Sequence, residues 1–169
     1  MFRAAHGRGL RAASALNFHQ RIFAGEVGLA CLLEDCAELQ LSHVIDTSHA
    51  YRYVLAELLS IRPDVIILLD TLHTDAGGVN RAVDEAAQLG DCVVKHVGRK
   101  TFDDTAGSEL LRKYCSSDDV GSEALCHYLA VGCAGAILQL ATSGQLAAEG
   151  ALELDTHSLR LTMRPSSAY

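Results

Sequence analysis

A chain of 169 residues has room for one compact domain with an appended element, and a hydrophobic share of 49% is enough to bury a sizeable core. The formal net charge of −7 opposes any role in which the whole segment grips a phosphate backbone. The longest apolar runs, Val65 to Leu69 and Leu129 to Ala141, are too short to cross a bilayer, and the second is broken by Gly132, Gly135 and Gln139, so no membrane role is expected.

Before Glu26, the first acidic residue, stand Arg3, Arg8, Arg11 and Arg21 with Phe2, Phe18 and Phe23. That composition suits a mitochondrial presequence, but an irregular or misjoined segment over residues 1–24 is the simpler reading. Val27 to Leu32 and Leu39 to Ile45 are strand-like on either side of the polar turn Glu34 to Glu38, an antiparallel hairpin. Thr47 or Ser48 can cap the next helix, where Tyr51, Val54, Leu55, Leu58 and Leu59 recur at helical spacing until Pro63 stops it.

Asp64 to Leu69 is a continuous β-branched apolar run, as expected of a strand covered on both faces. Gly77-Gly78 opens a helix over Val79 to Leu89 that Gly90 closes, and Cys92 to Val97 makes another strand. Strand, helix and strand imply a parallel crossover. A short helix is expected from about Ser108 to Cys115, then a polar break from Ser116 to Gly121 that reads as a domain boundary. A long helix should run from Ser122 to about Ser143 with Leu125, Leu129, Gly132, Ala136 and Leu140 on one face. Leu159, Leu161 and Met163 alternate with Arg160, Thr162 and Arg164 as a half-buried strand. The six cysteines (Cys31, Cys36, Cys92, Cys115, Cys126 and Cys133) lack paired short spacings and read as reduced thiols.

This order of elements resembles the connector domain of the MutS family, a ribonuclease-H-like α/β layer running into the lever. Gly7-Arg8-Gly9-Leu10 and Ala24-Gly25-Glu26-Val27-Gly28-Leu29-Ala30 resemble two halves of one family segment. Arg99-Lys100-Thr101-Phe102-Asp103 followed by Gly107 is similar to an element of the meiotic branch, MutS homologue four. Tyr128-Leu129-Ala130 to Leu140 is similar to that branch's lever start, and Ser158 to Arg164 to a short strand preceding a core segment. The resemblance implies a connector over residues 25–118 and the start of lever and core over 119–169. It departs from the family in the residues between Leu10 and Ala24, where the family places none, and in a first core strand that should precede Gly7 and is expected to be missing.

What the resemblance implies is a non-catalytic piece of a DNA-binding ATPase, acting in meiotic recombination or mismatch repair in the nucleus. In the parent, ATP and magnesium sit in a separate domain, the partner is a second MutS homologue, homologue five in the meiotic branch, and DNA is held through other domains. No cofactor or metal is expected in this chain.

Three sharper readings compete. Pro63 to Asp70 resembles the phospho-acceptor strand of a two-component receiver, with Glu34-Asp35 as its acidic pair and Thr101 as its hydroxyl, but Asp70 falls one residue out of register. Asp46, Asp70 and Asp103 are candidates for a two-metal nuclease, although active members of the ribonuclease-H fold need an acid on the first strand. Asp46, His49, Asp70 and His73 stand near two strand ends where a metal could sit, and capping or solvation accounts for each more simply. Lys95, His96, Arg99 and Lys100 form a compact basic cluster that offers Lys95, Arg99 and Lys100 as contacts to DNA or a partner. Asp103 and Asp104 follow at once and would make it a salt-bridged loop.

Overall fold

The computed structural model describes residues 12–20, 25–46, 51–70, 77–146 and 150–164. Three strands come first: β1 (Ala12–Gln20), β2 (Gly25–Leu33) and β3 (Glu38–Asp46). They form an antiparallel meander in continuous register, from Ala12↔Leu33 to Gln20↔Gly25 and from Gly25↔Asp46 to Leu33↔Glu38. The β2–β3 turn closes through a bond from Ala37 N–H to the Glu34 carbonyl at 3.1 Å, with Ala37 at φ 49°. The expected hairpin is therefore present.

The sheet does have a first strand, formed after Gly7 by the segment that the resemblance leaves outside the family. Residues Ala12–Gln20, read from the sequence as part of an irregular segment, form β1 at the centre of the sheet. Ala13, Ala15 and Leu16 are fully buried there. Serine and small alanines interrupt the β-branched signature that marks a central strand, so periodicity alone passes over them.

Helix α1 (Arg52–Ile61) follows, then β4 (Val65–Leu69), α2 (Gly77–Gly90) and β5 (Val93–Val97). α1 starts from Tyr51 in the left-handed region and ends at Arg62, also left-handed, one residue before Pro63. The expected caps Thr47 and Ser48 lie outside the described residues. β4 runs parallel to β1 and to β5, and all five of its residues are buried. The sheet order is β5-β4-β1-β2-β3-β6, with β6 (Arg160–Met163) parallel to β3. A meander whose first strand then pairs in parallel with the fourth, and the fourth with the fifth, is the ribonuclease-H-like arrangement, here extended by β6. The receiver alternative needs an all-parallel, doubly wound sheet, and the antiparallel β2 takes the chain away from it.

After β5 a 3-10 turn (Arg99–Phe102) leads into α3 (Asp104–Tyr114), then a one-turn helix α4 (Ser122–Leu125) and α5 (Tyr128–Ser143). α3 begins earlier than expected because the Asp103 carboxylate caps it, accepting from Thr105 N–H at 2.8 Å and Ala106 N–H at 3.3 Å. The expected single helix from Ser122 is two, broken at Cys126 and His127.

Register assigns the two faces. On one, Gly28 of β2 lies against Leu129 and Ala130 of α5, so close that a Cβ would stand 2.5 Å from their backbone. On the other, Leu29 and Cys31 line a small cavity with Glu57 and Ile61 of α1. The sheet is thus covered on both sides, which is why β4 is apolar at every position.

The expected boundary at 118/119 does not separate two bodies. α5 lies on the sheet, with Val131, Cys133, Ala134, Ala136, Ile137 and Leu138 fully buried in the same core as β1, β2 and β4. The Ser116–Gly121 break does not swing free either. Ser116 N–H donates to the Leu159 carbonyl at 2.8 Å, and the Asp119 carboxylate accepts from Leu161 N–H at 3.1 Å, which pins the break to β6. The apolar stripe read as a lever face is the inner face of a domain helix, and its glycines mark close contacts. At Gly135 a Cβ would stand 2.7 Å from the Cα of Gly107 on α3.

Candidate functional site

The basic cluster spans the end of β5 and the 3-10 turn. Lys95 sits on β5 opposite Ile67, and its ammonium donates to the carbonyl of Gln145 just beyond α5. His96, Arg99 and Lys100 are exposed. The turn is fixed from beneath, because Phe102 is buried and its carbonyl touches α5 where Gly132 leaves room: a Cβ there would stand 2.6 Å from that oxygen. Asp103, expected to salt-bridge the cluster, is engaged instead with the amides of α3. Among the described residues no ion pair joins Arg99 or Lys100 to a carboxylate. Arg99 and Lys100 therefore present their positive charge to solvent.

Of the carboxylates proposed for catalysis, the side chains of Asp70 and Asp103 are among the described residues. Asp70 is exposed at the end of β4, and Asp103 caps α3. Asp46 closes β3, but its side chain, like His49 and His73, lies outside the described residues. No group of three or more His, Cys, Asp or Glu able to hold a metal occurs among the described residues. Glu34-Asp35 lies at the opposite end of the strands from Asp70. Leu33 pairs with Ala12 at the start of β1, next to the start of β4, while Asp70 follows the end of β4.

β1, whose centre carries an acid in active members of this fold, reads Ala-Ala-Ser-Ala-Leu-Asn-Phe-His-Gln and contains no carboxylate. Sequence reasoning had treated the strand as lost. The strand is present and the acid is what the sequence lacks.

One constellation escaped the sequence reading. Glu26 of β2 is buried, at 5% exposure, and its Oε1 lies 2.6 Å from His43 Nε2 on β3. The His43 ring stacks on His127, the residue before α5, with centroids 5.3 Å apart and planes at 28°. Buried carboxylates are uncommon unless paired, and this one ties β2 to β3 beneath the start of α5. The signal was available in part. Glu26 alternates with Gly28, Ala30 and Leu32 on the face that α5 covers, so an acid there needs a partner, but only tertiary structure supplies it from β3.

The buried thiols, Cys31, Cys115 and Cys133, are structural in character. Burial pushes Cys31 up to about 11. Burial likewise pushes Cys115 up to about 12. Cys133 donates to the Gly28 carbonyl at 3.3 Å, a bond across the closest helix–sheet contact. Buried thiols held neutral are poor nucleophiles. Among the described residues no helix is long and apolar enough to cross a membrane.

A scan against family models finds no match, and a search of curated proteins finds none. Among solved structures, the chain is similar to T. thermophilus RuvC in complex with a Holliday junction substrate. The identity is 16%, the match covers 78% of this chain and 97% of that one, and the TM-score is 0.48. The fold itself rests on the strand order and directions given above.

Proposed function

We propose that this chain is a non-catalytic coupling module of a MutS-like, DNA-handling ATPase. In this reading it serves meiotic recombination or mismatch repair in the nucleus, beside a second MutS homologue. The observation that supports the reading is the acid-free central strand: a ribonuclease-H-like sheet whose β1 offers no carboxylate has the scaffold of a nuclease without the group that would hold its metals. The order of sequence elements, which resembles the MutS connector, is what supports the family.

The packing suits a part that transmits motion as a rigid body. α5 meets β2 at Gly28 and α3 at Gly107 and Gly135, backbone against backbone. Arg164 Nη1, at the end of β6, pairs with Glu57 Oε2 of α1 at 2.6 Å and ties the sheet edge to the opposite helix layer. A closely packed body of this kind passes displacement on rather than absorbing it. ATP binding and hydrolysis belong to another domain of the parent protein.

Two measurements test the proposal. Incubation with branched, single-stranded and duplex DNA in magnesium or manganese should give no cleavage, and metal-dependent cleavage lost in Asp70→Asn would overturn the non-catalytic reading. Sequencing the transcript beyond the codon for Tyr169 should find a Gly-x-x-x-x-Gly-Lys-Ser or -Thr motif, and a transcript without one would remove the MutS assignment.

A further inference from the structure

Among the described residues no strand pairs with the outer edge of β5. Val93 N–H donates inward to the Asp64 carbonyl at 3.0 Å. In a parallel ladder successive residues alternate in direction, so Lys95 and Val97 also bond inward, and the N–H and C=O groups of Val94 and His96 point outward. This is an open backbone template.

Two further features coincide there. Val93 is 50% exposed, so the edge carries an apolar side chain that a partner strand could cover. His96, Arg99 and Lys100 add exposed cationic or protonatable groups from mid-strand onward, in a chain of net charge −7. Asp91 stands before the strand and Asp104 beyond the turn, so the positive charge is concentrated between them.

We propose that the outer edge of β5 is the docking site of an extended, acidic segment of a partner protein. The segment adds a strand beside Val93–Val97, covers Val93 with an apolar side chain, and sets carboxylates against Arg99 and Lys100. Charged residues on an edge strand ordinarily prevent pairing between identical copies. The same charges, repelling a second copy of this basic edge, admit a strand of opposite sign, so the guard against self-association becomes the specificity filter. A peptide fits better than a nucleic acid, because the edge offers both donors and acceptors. A phosphate backbone can accept from the N–H groups of Val94 and His96 but leaves their carbonyls without donors.

The test uses the full chain and a fluorescein-labelled short peptide alternating valine and glutamate. Anisotropy should rise saturably, and amide hydrogen exchange should slow at Val94 and His96 when the peptide is present. H96P removes an outward donor and leaves the inward ladder to β4 intact, and it should abolish binding. The exposed pair R99E/K100E, which needs no backbone change, should weaken binding about ten-fold, and a valine–lysine peptide should not bind. Three outcomes would overturn the proposal: unchanged exchange at β5, full binding by the R99E/K100E variant, or displacement of the peptide by oligothymidine. The last would make the surface a nucleic-acid contact. Failure here leaves the coupling reading untouched, since that reading rests on β1.

Discussion

At Gly28 the sheet and α5 approach more closely than any side chain permits, with a Cβ placed 2.5 Å from the backbone of Leu129 and Ala130. Gly28→Ala must push the helix off the sheet and is expected to cost about 1–3 kcal/mol. Urea denaturation reads this directly, and an unshifted midpoint would mean that α5 is not held there. The thiols give a second residue-scale expectation. Cys31 and Cys115 ionise near 9 when unfolded but only at about 11 and about 12 in the folded chain, because burial disfavours the thiolate. Their raised folded values mean a contribution to stability that is complete below 9 and lost as pH rises through the folded values. Melting temperature should therefore fall from about pH 9 upward, and the fall should flatten in Cys31→Ala/Cys115→Ala. With iodoacetamide, exposed Cys36 and Cys126 should label well before buried Cys31, Cys115 and Cys133.

Among the elements, α3 and α5 carry the clearest expectations. Asp103 supplies the two-amide cap of α3, so Asp103→Ala should cost about 1 kcal/mol, measured by thermal melting, while Asp103→Ser should recover most of it. Were Asp103 mainly a salt-bridge partner of the basic cluster, serine would recover nothing. Removing everything after Ser117 deletes α5 and β6, and with them the cover of β1 and β2. The truncated chain should lose near-ultraviolet circular dichroism and bind hydrophobic dyes. A well-folded, soluble truncation would restore the boundary that the polar stretch Ser116–Gly121 had implied. That stretch reads as a linker because its residues are polar, yet polar residues also serve where backbone must be bonded, as Asp119 is to Leu161 N–H.

For the molecule as a whole, the charge balance sets what it can do alone. At net −7, with an exposed basic cluster at Arg99 and Lys100 among the described residues, DNA binding should be feeble at low salt and absent at physiological salt, as a gel-shift series would read. Tight binding that persists at that salt would contradict the assignment of DNA contact to other domains. Purified chain should also release no phosphate from ATP, and release that disappears on mutating Asp70 would place chemistry where the sheet offers only an exposed strand end.

By itself the sequence determined the elements whose patterns are local. The β2–β3 hairpin follows from alternation around a polar turn, β4 from an uninterrupted β-branched run, α2 from its bounding glycines, and β6 from the alternation of Leu159, Leu161 and Met163. It also displayed the basic cluster, because like charges close in sequence stay close in space. Only the tertiary structure decided β1, α5 and the Glu26–His43–His127 group. β1 is alanine-rich and earns its place from strands on both sides. α5 is apolar all round, so its sequence cannot say which body it belongs to until Gly28 and Gly107 are seen to receive it. Glu26 Oε1 meets a residue of another strand, and partnerships across strands depend on register, which local patterns do not encode.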